Sequence, residues 1–379
     1  MDTLIIHRGE GRWTPEGHQI AGFRMYEREL RSSLGMACEF ARADTLEDVE
    51  ALLLERPVDL AFVMLSWEEP AERVVETFAR IRARGVSAKI CFLDYYASCS
   101  SPHFGVLPHV DLYLKRQAYR DRSDYLRDYQ GGNAFVDHLA REMDYELDGW
   151  HFGSRPDPAH LHKIQPAWNL GVASVYRNML KITGAVPVPW EFRPFALNRR
   201  IGLGLPATRG LAWYHRYRAE SVQAVEPLAA TERCTGLGRL RRAGYLAELT
   251  LSKIGFSPFG WGEVCFRDYE IVCSGSLLLK PSMDHLATAP DIYVAGKTYA
   301  PVAWDLSDVV DVCRHYLAHP NEAREIIHNA RVALESYFEQ GGFVGQINGV
   351  LERLRLHPEP ALVREEASPS RLGLAAGWR

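Results

Sequence analysis

A turn that no helix interior or central strand can cross, followed at once by a helix and a buried strand, restricts the fold of this chain more than any other feature. It lies in Lys253 to Pro281, KIGFSPFGWGEVCFRDYEIVCSGSLLLKP. Pro258, Gly260 and Gly262 force the turn. A helix is expected over Glu263 to Ser274, Gly275 ends it, and Ser276 to Lys280 has the short apolar pattern of a strand buried in a parallel sheet. A glycine-rich turn feeding a helix leaves backbone N–H groups that favour a phosphate or another anion, which makes Gly260 and Gly262 candidates for ligand contact. On a helical wheel Glu263, Arg267 and Glu270 share one stripe, with Phe266, Tyr269 and Cys273 opposite. Charges at this spacing also describe an ion-paired, solvated face, so the stripe alone does not define a site.

The rest of the chain repeats the same alternation. Leu4 to Ile6 reads as a strand, then comes a loop with Gly9, Gly11 and Gly17, and a helix over Gln19 to Leu34. Strands at 38–41, 58–65, 89–93 and 112–114 alternate with helices at 45–55 and 70–84, which predicts a parallel sheet covered on both faces. Such sheets bind ligands beyond the carboxyl ends of their strands. Asp94 stands at one such end and is a candidate general base, with His18 of the first loop as the second candidate; a turn-capping aspartate and an ordinary loop histidine are the plainer readings. The G-x-G at Gly9 and Gly11 is not completed, because Thr14 holds the third glycine's place, which counts against a dinucleotide. The proline-rich segment Gly184 to Pro194 reads as a linker. Beyond it a strand at Arg200 to Leu203, a turn at 204–210 and a helix over LAWYHRYRAESVQAV open a second unit, with Arg209, Arg216 and Arg218 near its start. The division expected is 1–185, 186–356 and a disordered proline-bearing tail, 357–379.

A length of 379 residues with 47% hydrophobic content suits two domains with real cores. The net charge of −4 is too mild to point to nucleic acid as a partner. Seven cysteines without a C-x-x-C pair argue against a disulfide framework or structural zinc and for a reducing, cytoplasmic setting. No apolar run approaches a membrane span, and the N-terminus has neither a basic start nor a cleavage site, so a soluble chain is expected, with peripheral contact to a membrane left open.

Arg267, Asp268, Tyr269 and Glu270, with Gly275 and an apolar strand ending at Pro281, resemble the donor-site motif of GT-B glycosyltransferases. The pattern is similar to that of the CgeB-like, exostosin-like and group 1 types, and the resemblance covers about residues 195 to 355. It implies two Rossmann-like domains with parallel sheets facing a cleft: an acceptor domain first, a nucleotide-sugar domain second, and closing helices that cross back. It also implies that Glu270 holds the ribose hydroxyls, with Arg267 and Glu263 beside it. Lys253, Arg209 and the turn at Gly260 and Gly262 are the candidates for the diphosphate. Gly262 occupies the place where many retaining members carry a first glutamate, and Glu263 sits one position late, which leaves the anomeric outcome open. The chain has no D-x-D, so the reaction expected is metal-independent, with no cofactor besides the donor. The implied function is transfer of a sugar from a nucleotide-sugar to a glycan, lipid-linked or other hydroxyl acceptor, as in polysaccharide biosynthesis. A Rossmann-type NAD(P)-dependent oxidoreductase and a non-catalytic sugar-nucleotide-binding protein are the alternatives.

Overall fold

The computed structural model describes residues 1–9, 14–203 and 211–356. Arg209, the expected turn at 204–210 and the tail lie outside the described residues. The first half alternates β1 (Asp2–His7), α1 (Pro15–Met25), α2 (Glu27–Leu34), β2 (Ala37–Arg42), α3 (Leu46–Glu55), β3 (Leu60–Val63), α4 (Ala71–Ala83), β4 (Lys89–Asp94) and β5 (Leu112–Lys115). A short β6 (Ala118–Tyr119), α5 (Ala134–Glu142) and β7 (Ile164–Pro166) follow. Six strands form one parallel sheet in the order β2-β1-β3-β4-β5-β7. Every residue of β3 is buried, as expected when helices cover both faces. α3 starts where the sequence placed it, because Thr45 and Asp48 form a reciprocal capping box. The helix expected over Gln19 to Leu34 is two helices instead. Tyr26 leaves helical geometry between them, and its hydroxyl donates to the carbonyl of Phe338 at 3.2 Å.

The second half contains α6 (Ser174–Ala185), β8 (Phe195–Asn198), α7 (Ala212–Gln223), α8 (Glu226–Ala229), α9 (Arg242–Thr250), β9 (Ser252–Phe256), α10 (Phe266–Cys273), β10 (Leu277–Pro281), β11 (Leu286–Ala287) and β12 (Ala300–Val302). It ends in α11 (Val309–Ala318), α12 (Pro320–Glu339) and α13 (Gly342–Leu354). The sheet is parallel in the order β8-β9-β10-β12. Its first strand precedes the expected Arg200 to Leu203, because the apolar FALN run after Pro194 takes the buried position and Arg199 and Arg200 emerge at its carboxyl end. On the outer side of β8, Arg233 and Thr235 add main-chain bonds: Ala196 N–H to the Arg233 carbonyl at 2.8 Å, and Thr235 N–H to the Leu197 carbonyl at 3.0 Å. The chain therefore leaves β8 in one direction and reaches β9 in the other. That reversal opens a crevice at the carboxyl ends of β8 and β9.

Several ties join the halves. β6 and β11 pair as an antiparallel ribbon, and Arg120 donates to the carbonyls of Asp284 at 3.1 Å and Leu286 at 2.8 Å. α13 returns to the first half, where the Phe343 ring stands 4.9 Å from Trp168 and 5.2 Å from Phe23. Two Rossmann-type parallel sheets with a closing helix that crosses back make the GT-B arrangement.

Candidate functional site

The site is organised by α10, whose two ends are fixed by different chemistry. At its start the Asp268 carboxylate accepts from Cys265 N–H at 2.9 Å and from the Tyr293 hydroxyl at 2.8 Å, and it pairs with Lys280 at 3.2 Å. Asp268 and Lys280 are fully buried. At its end Gly275 takes φ +70°, and the bonds Ser276 N–H to Ile271 and Gly275 N–H to Val272 close a Schellman turn. Between these anchors Phe266, Arg267 and Glu270 face a cavity of ≈ 360 Å³ in the β8/β9 crevice. Arg200 and Gly202 after β8, Tyr214 and Arg218 of α7, Gly238, Arg239 and Leu240 before α9, and Tyr245 of α9 complete the wall.

The wall is rich in guanidinium groups held in place by the backbone. Arg218 donates to the carbonyls of Gly202 at 2.9 Å and Phe259 at 3.4 Å, and Arg200 grips Glu248 through two bonds of 2.8 Å. Arg267 donates to the Arg200 carbonyl through one nitrogen, while its buried Nη1 has no hydrogen-bond partner. Glu270 is buried and pairs with Arg242 at 2.8 Å. Fixed cations, one carboxylate and three aromatic rings suit a ligand that carries an anion, adjacent hydroxyls and a flat ring.

Of the residues expected at the site, the structure brings Glu270 and Arg267 together in the cavity. It adds Arg218, which the sequence placed near the second unit's opening. Glu263, Gly260 and Gly262 go elsewhere, because their turn docks on the first half. Glu263 precedes α10 rather than lying on it, and its buried carboxylate accepts from the Gln117 amide, with His285 at 3.8 Å. Burial pushes the Glu263 carboxyl up, but hydrogen bonds and the charge of His285 outweigh this and leave it below the usual range. The Gly260 N–H is spent on the Gly262 carbonyl at 3.0 Å. Trp261 sits 6.2 Å from Trp67 and 6.1 Å from Trp150 of the first half. A Cβ on Gly262 would meet the Ala97 carbonyl oxygen at 1.8 Å, so the glycine permits a backbone-to-backbone seam rather than a phosphate cradle. Gly262→Ala is therefore expected to cost about 1–3 kcal/mol in urea unfolding, the usual range for overpacking. Wild-type stability in that variant would remove the seam from the account.

Lys253 is also corrected. It opens β9 instead of ending an element, so it stands at the amino end of the sheet, with its ammonium 5.8 Å from the Trp190 ring. Ligands gather at the opposite edge. Asp94 does end β4 as expected, but both of its oxygens are taken. It is fully buried, pairs with Lys115 at 2.9 Å, and accepts from the Tyr113 hydroxyl at 2.8 Å and Tyr96 N–H at 3.0 Å. A carboxylate so enclosed has no face for an acceptor hydroxyl. His18 lies on α1, where its Nδ1 donates to the Leu170 carbonyl at 3.2 Å and its ring stands edge-on to Phe266, centroids 4.8 Å apart. It reaches the first residue of α10, but at 1% exposure it is nearly as enclosed as Asp94.

Arg200, Tyr214 and Tyr245 of the wall escaped the sequence reading, and so did a buried arginine beside it. Arg116, directly after β5, is 2% exposed, its Nε has no hydrogen-bond partner, and among the described residues it makes no ion pair. Burial pushes its pKa down, with Asp94, Cys265, Tyr269 and Glu263 as its charged or polar surroundings. It thus lies within electrostatic reach of the turn of α10 that presents Phe266 and Arg267 to the cavity. An arginine immediately beyond a strand's carboxyl end was the available signal.

No family model matches this chain, and no curated protein does. Among solved structures it is similar to sucrose-phosphate synthase from Thermosynechococcus elongatus, at 12% identity and a TM-score of 0.49, over 94% of this chain and 99% of that one. A UDP-forming α,α-trehalose-phosphate synthase from Burkholderia xenovorans gives 12% and 0.48 over 94% and 99%. An α-glucosyltransferase in complex with UDP gives 8% and 0.47 over 91% and 99%. At such scores the strand order and side-chain geometry above, not these likenesses, carry the account of the molecule.

Proposed function

We propose that this chain is a nucleotide-sugar-dependent glycosyltransferase of GT-B architecture, with the donor seated in the β8/β9 crevice. The observation that carries the reading is the pairing of fixed arginines with the buried Glu270 on one wall of that cavity. A diphosphate matches Arg200, Arg218 and Arg267; ribose hydroxyls match Glu270; a base stacks on Tyr214, Tyr245 or Phe266. Cations meeting the charge that develops on the leaving diphosphate make the transfer independent of a metal in the cleft. The acceptor is a hydroxyl of a glycan, a lipid-linked sugar or a small molecule. The seven free cysteines support a cytoplasmic setting, and no helix among the described residues is long and apolar enough to cross a membrane.

Calorimetry against UDP-, GDP- and ADP-sugars, with NAD and NADP as competitors, tests this reading. One nucleotide-sugar binding in the presence of a chelator is the expected result, and preference for a dinucleotide overturns it in favour of an oxidoreductase. Binding without transfer or hydrolysis identifies a non-catalytic receptor. Glu270→Ala removes an acceptor of hydrogen bonds worth about 1.5–3 kcal/mol each, so donor affinity falls roughly tenfold or more. Lys253→Ala serves as the control and leaves it unchanged.

A further inference from the structure

We propose a second site, on the surface at the α11/α12 junction, in which His315, His319 and Glu322 take a borderline divalent transition ion of the Zn²⁺ kind. His315 is in the last turn of α11, His319 links it to α12, and Glu322 is in the first turn of α12. One ligand atom from each lies within 4.8 Å of the others, and all three residues are exposed. None of them lines the cavity between α7, α9 and α10.

The geometry suits a metal beyond mere proximity. Nε2 of His315 and Oε2 of Glu322 are 2.9 Å apart as a hydrogen-bonded pair, and two bonds of ~2.1 Å at a tetrahedral angle need only about half an ångström more between them. His319 places Nδ1 2.8 Å from the carbonyl of His315. A carbonyl only accepts, so Nδ1 carries the proton and Nε2 keeps its lone pair. This is the outer hydrogen bond that orients metal-bound imidazoles and fixes their tautomer. The two rings are stacked with centroids 4.4 Å apart, so a small rotation of exposed side chains closes the set. On binding, the proton leaves Nε2 of His315 and appears on Nδ1 or in solvent, and Glu322 exchanges its hydrogen bond for a bond to the ion. Two imidazoles and one carboxylate leave a fourth position for water, and they favour Zn²⁺, Ni²⁺ or Cu²⁺ over Mg²⁺ or Ca²⁺. The ion would tie the end of α11 to the start of α12, which packs on β10, α10 and α6.

Titration of the full chain with ZnCl₂ in a phosphate-free buffer tests the proposal. One equivalent is expected to bind and to raise Tm, with affinity reduced at least tenfold in His319→Ala and in His315→Ala and the Tm rise lost in both. Circular dichroism of the ion-free variants establishes that both are folded. A Zn²⁺ isotherm and a Tm rise that persist in both variants would place the ion at thiols or other histidines and overturn the site, as would the absence of any Zn²⁺ binding. MgCl₂ giving the same Tm rise would overturn the choice of ion.

Discussion

Asp94→Ala is expected to destabilise the protein by about 3–5 kcal/mol, the range for a buried ion pair robbed of one partner. Lys115 would be left with its ammonium fully buried and only the Ser100 carbonyl, 2.9 Å away, as a partner. The Tyr113 hydroxyl would lose its bond to this carboxylate and keep only the Ser101 hydroxyl, 2.6 Å away. Asp94→Asn keeps the shape but removes the charge, and it should fall between the two. Urea unfolding with two probes reads the loss directly. If Asp94→Ala unfolds at the wild-type midpoint while its turnover collapses, Asp94 belongs to the chemistry and the structural assignment fails.

Arg116→Met is expected to act in the opposite direction on the empty protein. A guanidinium that is 2% exposed, with an unpartnered Nε and, among the described residues, no ion pair, is a charge taken out of water that the nearby Asp94 and Glu263 only partly compensate. Replacing it by an apolar side chain of similar reach removes a buried donor without a partner, whose cost is about 1–3 kcal/mol, and should raise stability by up to that amount. The same change should weaken a nucleoside diphosphate tenfold or more if the arginine is stored for that anion. Thermal unfolding without ligand and calorimetry with UDP, GDP and ADP give the two readings. A variant that is less stable and binds as the parent does would make Arg116 an ordinary structural residue.

The alternation of strands and helices was legible because each buried strand is a short apolar run and each helix keeps its period, as at α3 and α12. The boundary at β8 was not. Phe195 to Asn198 follows three prolines, and nothing local separates a linker's last residues from a strand's first. At the site, Glu270 and Arg267 were readable from a motif on one helix. The turn at Gly260 and Gly262 was misassigned because a glycine looks alike in sequence whether it admits a phosphate or the carbonyl of Ala97. Asp94 was found at the correct end of its strand, but its partners Tyr113 and Lys115 come from the neighbouring strand, and pairing across a sheet is not written in local spacing. Arg116 and the trio at His315 show the same limit, since burial without a partner and convergence around a helix junction exist only in three dimensions.

The ribbon of β6 and β11 gives the molecule a spine. Main-chain bonds between Ala118–Tyr119 and Leu286–Ala287, reinforced by Arg120, tolerate a swing about their own axis but break under sliding. With the Phe343 ring packed on Trp168 and Phe23, and Trp261 against Trp67 and Trp150, any parting of the halves has to loosen those aromatic contacts while the ribbon keeps its register.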